Sequence, residues 1–213
     1  MNKKIFRFKN KNIKNPSSVK IVGLVGLAGS GKSEAVEYLK EKNYPHVYFG
    51  GVVLQALKDE GLELNSANEK LMRVKLRDDF GQDVIVNRIV KQIENLIEAG
   101  QKRIIADGVY SWTEYKILKK RFPRELKVIA LVPPKNIRQK RIGSRAHRPY
   151  TLAEINDRDY NEIEKLDKGG PIAMADYFVV NDGPVLKTRR KLDKILKEID
   201  FWVKTAAPDL DEP

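Results

Sequence analysis

Short apolar runs alternate with longer amphipathic stretches along most of the chain. The apolar runs predict five β-strands, at Val19–Val25, His46–Phe49, Arg103–Ala106, Leu126–Val132 and Tyr177–Val180. The amphipathic stretches predict helices at about 32–42, 51–60, 67–80, 83–99, 113–121, 135–143, 151–166 and 184–203. Strands that alternate with helices favour an α/β fold, in which helices cover both faces of a mostly parallel sheet.

The turn between the first strand and the first helix carries the clearest chemical signal. It reads GLAGSGKS from Gly26 to Ser33 and matches the Walker A pattern G-x-x-x-x-G-K-[ST]. Its glycines let backbone N–H groups face an anion, and the positive end of the following helix adds to that field. Lys32 can reach the β- and γ-phosphates, and the Ser33 hydroxyl can bind Mg²⁺. The motif predicts a P-loop that binds a nucleoside triphosphate, ATP or GTP, through Gly26, Ala28, Gly29, Ser30, Gly31, Lys32, Ser33 and Glu34.

The third predicted strand ends in a carboxylate, Asp107, followed by Gly108. An aspartate at such a strand end could hold Mg²⁺ directly or through water, or could act as a base toward a hydroxyl acceptor. It could also simply cap the turn before Gly108. Beside a phosphate loop, the metal role is the favoured interpretation.

A segment after the fourth strand is rich in cations and has no acid. Its basic residues are Lys135, Arg138, Lys140, Arg141, Arg145 and Arg148. The arginines lie three or four apart and so share a helix face until Gly143 and Ser144 break the helix. A solvated basic helix would look similar. After a strand of a nucleotide-binding sheet, however, the cluster predicts a lid that neutralises charge on a transferring phosphoryl group.

A second set of arginines lies in the helical region that follows the second strand. Arg73 and Arg77 are one helical turn apart, and Arg88 follows on the next predicted helix. These side chains could bind the phosphate of an acceptor, although surface ion pairs have the same spacing. Tyr110 and Trp112 could stack on an acceptor base or pack in the core.

Together with the ending ADYFVVNDG at 175–183, these motifs resemble small P-loop kinases of the nucleoside monophosphate kinase type. The closest likeness is to the dephospho-CoA kinases and to an adenylate-kinase-like group of prokaryotic proteins, over roughly residues 19–200. The resemblance implies a three-layer P-loop NTPase fold with a five-stranded parallel sheet of order 2-3-1-4-5. It also implies a mobile helical acceptor-binding region at about 50–100, a short lid at about 136–150, and a P-loop kinase domain spanning 19–204.

The activity that the resemblance implies is Mg²⁺-ATP-dependent phosphotransfer to a nucleotide-type acceptor, either a nucleoside monophosphate or a dephospho-CoA-like molecule. It implies catalytic roles for Lys32, Asp107, Arg141 and Arg145, with Arg148 as a further lid residue, and it puts Asn181 and Gly183 beside the nucleobase. Two departures leave the acceptor open. Gly51 stands where the related group tends to carry an acidic residue. The segment at 108–112 does not resemble the corresponding segment of true dephospho-CoA kinases.

Charge and composition narrow the remaining alternatives. The 213 residues carry a net charge of +12, of which residues 1–20 contribute six lysines, Arg7 and no acid. We expect a solvated basic tail at 1–18 and an acidic tail at 205–213, so any nucleic-acid contact would use the basic tail. No cysteine and two histidines argue against thiolate or histidine metal sites. No apolar run approaches the roughly 20 residues of a membrane span.

These features predict a cytoplasmic protein, with monomer and dimer both open. Two rival functions remain, a regulatory NTPase switch and a nucleic-acid-associated ATPase.

Overall fold

The computed structural model describes residues 18–109, 111–145 and 149–202. Its centre is one five-stranded sheet built from β1 (Lys20–Val25), β2 (His46–Tyr48), β3 (Arg103–Asp107), β4 (Leu126–Leu131) and β5 (Tyr177–Val179). The strands are ordered β2-β3-β1-β4-β5, and every neighbouring pair is parallel. The predicted α/β fold class and strand order are confirmed. The two tails and Arg148 fall largely or wholly outside the described residues.

The helices of the described chain follow the predicted sequence with one addition. They are α1 (Lys32–Lys40), α2 (Phe49–Asp59), α3 (Ser66–Phe80), α4 (Val84–Glu98), α5 (Trp112–Arg121), α6 (Lys135–Gly143), α7 (Leu152–Glu164), α8 (Gly169–Ala173) and α9 (Val185–Glu198). α8 was not predicted, because five residues that include two glycines and a proline show no helical periodicity.

Two helix boundaries differ from the predictions. Phe49 begins α2 instead of ending the second strand, and it is fully buried there. The last helix ends at Glu198 and not near residue 203. Asp200 adopts a left-handed φ of 56°, and the Phe201 N–H donates to the Leu196 carbonyl at 2.8 Å, which closes the helix.

The sheet separates two apolar layers. On one face Ile21 and Val25 of β1 pack with α2, α4 and α5. On the other face Val22 and Leu24 pack with α1 and α9. Because both faces are covered, β1 is an unbroken apolar run and not an alternating one. In the described part of the chain, no helix combines the length and apolar character needed to cross a membrane.

The carboxyl ends of the parallel strands meet at one edge of the sheet. β1 leads into the 26–31 loop, β3 ends at Asp107 and β5 is followed by Asn181. Leu24 of β1 lies opposite Asp107 in the β1–β3 register, so Asp107 faces the start of the loop. Ligands of open parallel sheets bind at this edge.

Candidate functional site

The 26–33 loop has the backbone geometry of an anion cradle. Gly29 and Gly31 adopt left-handed φ values of 75° and 90°, and the Ser30 N–H donates to the Leu27 carbonyl at 3.0 Å. The Asn181 amide donates to the Ser30 carbonyl at 2.9 Å, and a Cβ at Gly31 would collide with that amide. Glycine is therefore required at Gly31 both by backbone conformation and by space.

Lys32 and Asp107 are in direct contact at the carboxyl edge of the sheet. Their charged groups form a hydrogen-bonded ion pair, and both side chains are about 15% exposed. Ser33 is exposed one residue further along α1. A hydroxyl and a carboxylate are ligands that Mg²⁺ accepts, usually with water and phosphate oxygens completing the shell. The donor chemistry of Ser33 and Asp107 therefore fits the predicted metal.

Two buried polar atoms beside the loop lack hydrogen-bond partners among the described residues: the Ser30 hydroxyl and Nη1 of Arg141. The other terminal nitrogen of Arg141 donates to the Asn181 side-chain oxygen at 3.4 Å, which also accepts from Thr188 at 2.7 Å. Buried donors of this kind usually find a partner. Their position beside the phosphate loop fits a nucleotide.

The other predicted nucleotide residues have different surroundings. The carboxylate of Glu34 pairs with Arg189 on α9 at 2.6 Å, on the side of α1 that faces that helix. Gly183 lies next to the Lys187 side chain at the start of α9. Nucleotide contacts by Glu34 and Gly183 stay predictions.

The predicted arginine lid separates into residues with distinct environments. Arg138 is buried, binds Asp159 of α7 through two hydrogen bonds of 2.8 and 2.7 Å, and donates to the Ala28 carbonyl at 3.1 Å. It therefore joins α6, α7 and the phosphate loop. Arg145 is exposed just past the end of α6, which stops at Gly143 as predicted.

A cavity of about 260 Å³ lies beside the phosphate loop and contains most of the predicted acceptor residues. Its charged lining consists of Arg73, Arg77, Glu114, Arg158, Glu162 and Lys168. Four cations against two carboxylates make its lining net basic, but Arg73 also forms the i,i+4 ion pair that its spacing allowed, with Glu69 at 2.7 Å. None of these lining residues belongs to the phosphate loop, but Glu162 contacts it by accepting from the Ala28 N–H at 3.2 Å. A larger groove of about 720 Å³ runs along α3 and shares no lining residue with this cavity.

Arg88 does not line this cavity with Arg73 and Arg77. The buried face of α4 includes Ile85 and Ile89, which leaves Arg88 on the solvent side with its guanidinium 5.3 Å from the Phe80 ring centre. This helical phase separates Arg88 from the other two arginines, and acceptor binding by Arg88 stays a prediction.

Trp112 is partly buried and packs against the core, which agrees with the second of its two predicted environments. Its ring stacks on Tyr115 with centroids 5.2 Å apart, and Gly170 of α8 lies directly against it. A Cβ at Gly170 would come within 2.6 Å of the indole. Tyr110, for which the sequence predicted the same two environments, lies outside the described residues.

Sequence reasoning missed a buried charged pair between the loop and the cavity. Glu162 accepts from the Ala28 N–H at 3.2 Å, pairs with Lys168 at 3.0 Å, and pairs with Arg158 at 3.2 Å. Burial lowers the pKa of Lys168, and the neighbouring Glu162 carboxylate opposes that shift. Lys168 also borders a small space beneath the loop together with Lys32.

A sequence signal for part of this pair exists on α7. Ile155, Asp159 and Glu162 recur at helical spacing, and all three are buried. Acids on the buried face of an amphipathic helix need partners, so their spacing could have indicated a charged core. Lys168 has no such signal, because it precedes a short helix without a periodic pattern.

Comparison with known proteins agrees with this geometry. Residues 25–157 match the family model described as an AAA domain. The UPF0200 protein of Thermococcus onnurineus is 31% identical over 182 residues, covering 84% of this chain and 97% of the relative. The UPF0200 protein of Methanocaldococcus jannaschii is 32% identical over 179 residues, covering 84% and 90%.

Solved structures share the fold at low sequence identity. TT1252 from Thermus thermophilus superposes with a TM-score of 0.58 at 16% identity, covering 84% of this chain and 97% of that one. Shikimate kinase from Acinetobacter baumannii in complex with shikimate gives 0.56 at 17% identity, covering 87% and 98%. These likenesses confirm a P-loop kinase-like fold, while the narrower resemblance to nucleoside monophosphate or dephospho-CoA kinases stays a prediction. The chain belongs to the AAA domain family and to the UPF0200 proteins.

Proposed function

We propose that this protein is a Mg²⁺-ATP-dependent phosphotransferase that acts on an anionic, nucleotide-type small molecule. The observation that carries the proposal is the net basic cavity beside a Walker A loop whose Lys32 contacts Asp107. A loop alone would suit a nucleotide switch as well. An adjoining cavity lined by four cations supplies a place for a second, anionic substrate.

The proposed nucleotide half uses the loop N–H groups, Lys32 and the start of α1. The N–H groups and Lys32 bind the β- and γ-phosphates, and Lys32 stabilises charge that develops on the transferring group. Ser33 and Asp107 would hold Mg²⁺, which neutralises phosphate charge when bound. Arg141 supplies a buried guanidinium from α6, and the exposed Arg145 would approach as the lid closes.

The proposed acceptor half uses Arg73 and Arg77. Their guanidinium groups would bind the acceptor's phosphate and align it with the γ-phosphate. A monophosphate acceptor is already an anionic nucleophile and needs only this alignment, whereas a hydroxyl acceptor benefits from a carboxylate base. Because four cations line the cavity and Asp107 would be engaged as a metal ligand, these roles favour an acceptor that attacks through a phosphate oxygen.

The test is ADP release from Mg²⁺-ATP across nucleoside monophosphates, dephospho-CoA and shikimate, with an acceptor-free control and a GTP arm. We expect turnover that depends on one phosphate-bearing acceptor. Lys32→Met should lower it about a hundredfold or more, while Lys40→Met, an exposed-side change on the same helix, should not. ADP release that ignores every acceptor would contradict the proposal and favour an NTPase switch.

A further inference from the structure

The carboxylate of Glu162 accepts a hydrogen bond from a backbone N–H of the phosphate loop. Its Oε2 accepts from the Ala28 N–H at 3.2 Å, and the side chain is only 7% exposed. Ala28 is fixed from its other side as well, because Arg138 donates to its carbonyl at 3.1 Å. The contact therefore joins the loop to a defined, buried position on α7.

The groups around Glu162 form an anion-binding set. Besides the Ala28 N–H, the carboxylate pairs with Lys168 at 3.0 Å and with Arg158 at 3.2 Å. A backbone N–H of a glycine-rich loop together with an ammonium and a guanidinium is the combination that binds phosphate oxygens. Here that combination surrounds a side-chain carboxylate of the protein itself.

Lys168 lies where the two halves of the site meet. It lines the acceptor cavity with Arg73 and Arg77, and it lines the small space beneath the loop with Lys32. A group transferred from a loop-bound nucleotide to an acceptor in the cavity has to cross this boundary. No other cation in the described part of the chain lines both spaces.

A phosphoryl group bound by the loop would compete with Glu162 for the same donor and would be repelled by its charge. We propose that Glu162 is an internal carboxylate which the terminal phosphoryl group of the nucleotide displaces from Ala28, and that Lys168 then contacts that phosphoryl group. Lys168 is thereby a catalytic residue, and Glu162 is a positioning residue that holds it at the boundary. The proposal rests on one part of the proposed function, the binding of a nucleoside triphosphate by the loop.

The first test compares a nucleotide that has a γ-phosphoryl group with one that lacks it. Calorimetric titration of the full chain with Mg²⁺ and either AMP-PNP or ADP measures the two dissociation constants separately. Glu162→Gln removes the competing charge and keeps the shape of the side chain. We expect AMP-PNP to bind about tenfold more tightly to this variant, with ADP within about twofold of the wild type. Glu164→Gln, an exposed change on the same helix, should alter neither constant.

The second test removes Lys168, and the expected change in AMP-PNP affinity has the opposite direction. Lys168→Met should weaken AMP-PNP about tenfold and leave ADP within about twofold, whereas the exposed Lys165→Met should change neither. If either single variant fails to fold, the double variant Glu162→Gln/Lys168→Met removes both charges of the buried pair together. In that variant the two tenfold effects oppose each other, so its preference for AMP-PNP over ADP should be about tenfold below that of Glu162→Gln or about tenfold above that of Lys168→Met, whichever single variant folds.

Equal effects on AMP-PNP and ADP, or unchanged affinity for AMP-PNP in Glu162→Gln and Lys168→Met, would overturn the proposal and leave the pair a purely structural contact. These outcomes are separable from failure of the proposed function. Wild-type protein that discriminates AMP-PNP from ADP as expected but transfers to no acceptor would overturn the proposed function alone. Wild-type protein that binds neither nucleotide would overturn both.

Discussion

The phosphate loop and the α6–α8 segment (135–173) face the same site but are held by different forces. The loop owes its shape to backbone conformation, with left-handed φ at Gly29 and Gly31 inside eight consecutive residues. The α6–α8 segment is joined by charge, through a buried ion pair that spans 21 positions and a second pair between α7 and Lys168, the residue before α8. Local backbone geometry determines the conformation of the loop, and long-range ion pairs determine how the α6–α8 segment packs.

The two regions meet at one residue, Ala28. Its N–H donates to Glu162 and its carbonyl accepts from Arg138. Both backbone polar groups of this residue are therefore hydrogen-bonded to the α6–α8 segment. The loop therefore takes part of its orientation from charges that its own motif does not contain. Breaking each support separately shows how far the two regions depend on one another.

The largest effect should come from Arg138→Met. This change leaves Asp159 buried without its bidentate partner, which typically costs about 3–5 kcal/mol of unfolding free energy. Urea denaturation measures that loss, and the exposed Lys140→Met on the same helix is the matched control. The double variant Arg138→Met/Asp159→Leu should recover most of the loss, since no unpaired charge remains. A loss below about 1 kcal/mol in the single variant would mean that the pair contributes little.

The loop should respond to shape instead of charge. Gly31→Ala imposes a left-handed conformation on alanine and drives its Cβ into the Asn181 amide, for a cost of about 1–3 kcal/mol. Gly61→Ala is the control, because Gly61 has a φ of 66° and nothing within 4 Å of its Cβ position. The difference between the two variants in urea denaturation isolates the contact with Asn181. Equal losses would show that Asn181 moves aside freely.

Acceptor binding should depend on Arg77 but not on Arg88. If the proposed function holds, Arg77→Gln should raise the KM for the acceptor about tenfold, equivalent to the loss of one charged hydrogen bond of about 1.4 kcal/mol. The KM for ATP should stay within about twofold, because Arg77 lines the cavity and not the loop. Arg88→Gln on the solvent side of α4 should change neither. An equal effect of both variants would place the acceptor outside the 260 Å³ cavity.

The contrast between local geometry and long-range pairing also explains which features could be predicted from the sequence. The strands, the loop and the position of Asp107 at a strand end beside the loop follow from patterns within a few residues and from the common edge of a parallel sheet. The partner of Arg138 does not, because an arginine that pairs with Asp159 and one that faces a phosphate have the same spacing in a basic helix. Lys168 was missed for the related reason that its role depends on where α8 packs, against Trp112 and beside Glu162.

The smallest effect concerns the start of α7, where charge acts at an exposed helix end. The Glu154 carboxylate accepts from the Thr151 N–H at 2.7 Å and from its hydroxyl at 2.8 Å, and these bonds lower the pKa of Glu154. A carboxyl whose pKa is lower in the folded state stabilises that state when ionised, and this stabilisation is lost as the pH falls through the folded value.

Glu154→Gln should therefore speed hydrogen exchange of the α7 amides at pH 7, when exchange is corrected for its intrinsic pH dependence. The difference from wild type should shrink below about pH 4.3, the ordinary value for glutamate, as the wild-type carboxyl is protonated. Glu164→Gln at the other end of α7 lacks this cap and should show no such pH dependence. A Glu154→Gln difference that persists undiminished at pH 3 would mean that the side chain acts through packing and not through its charge.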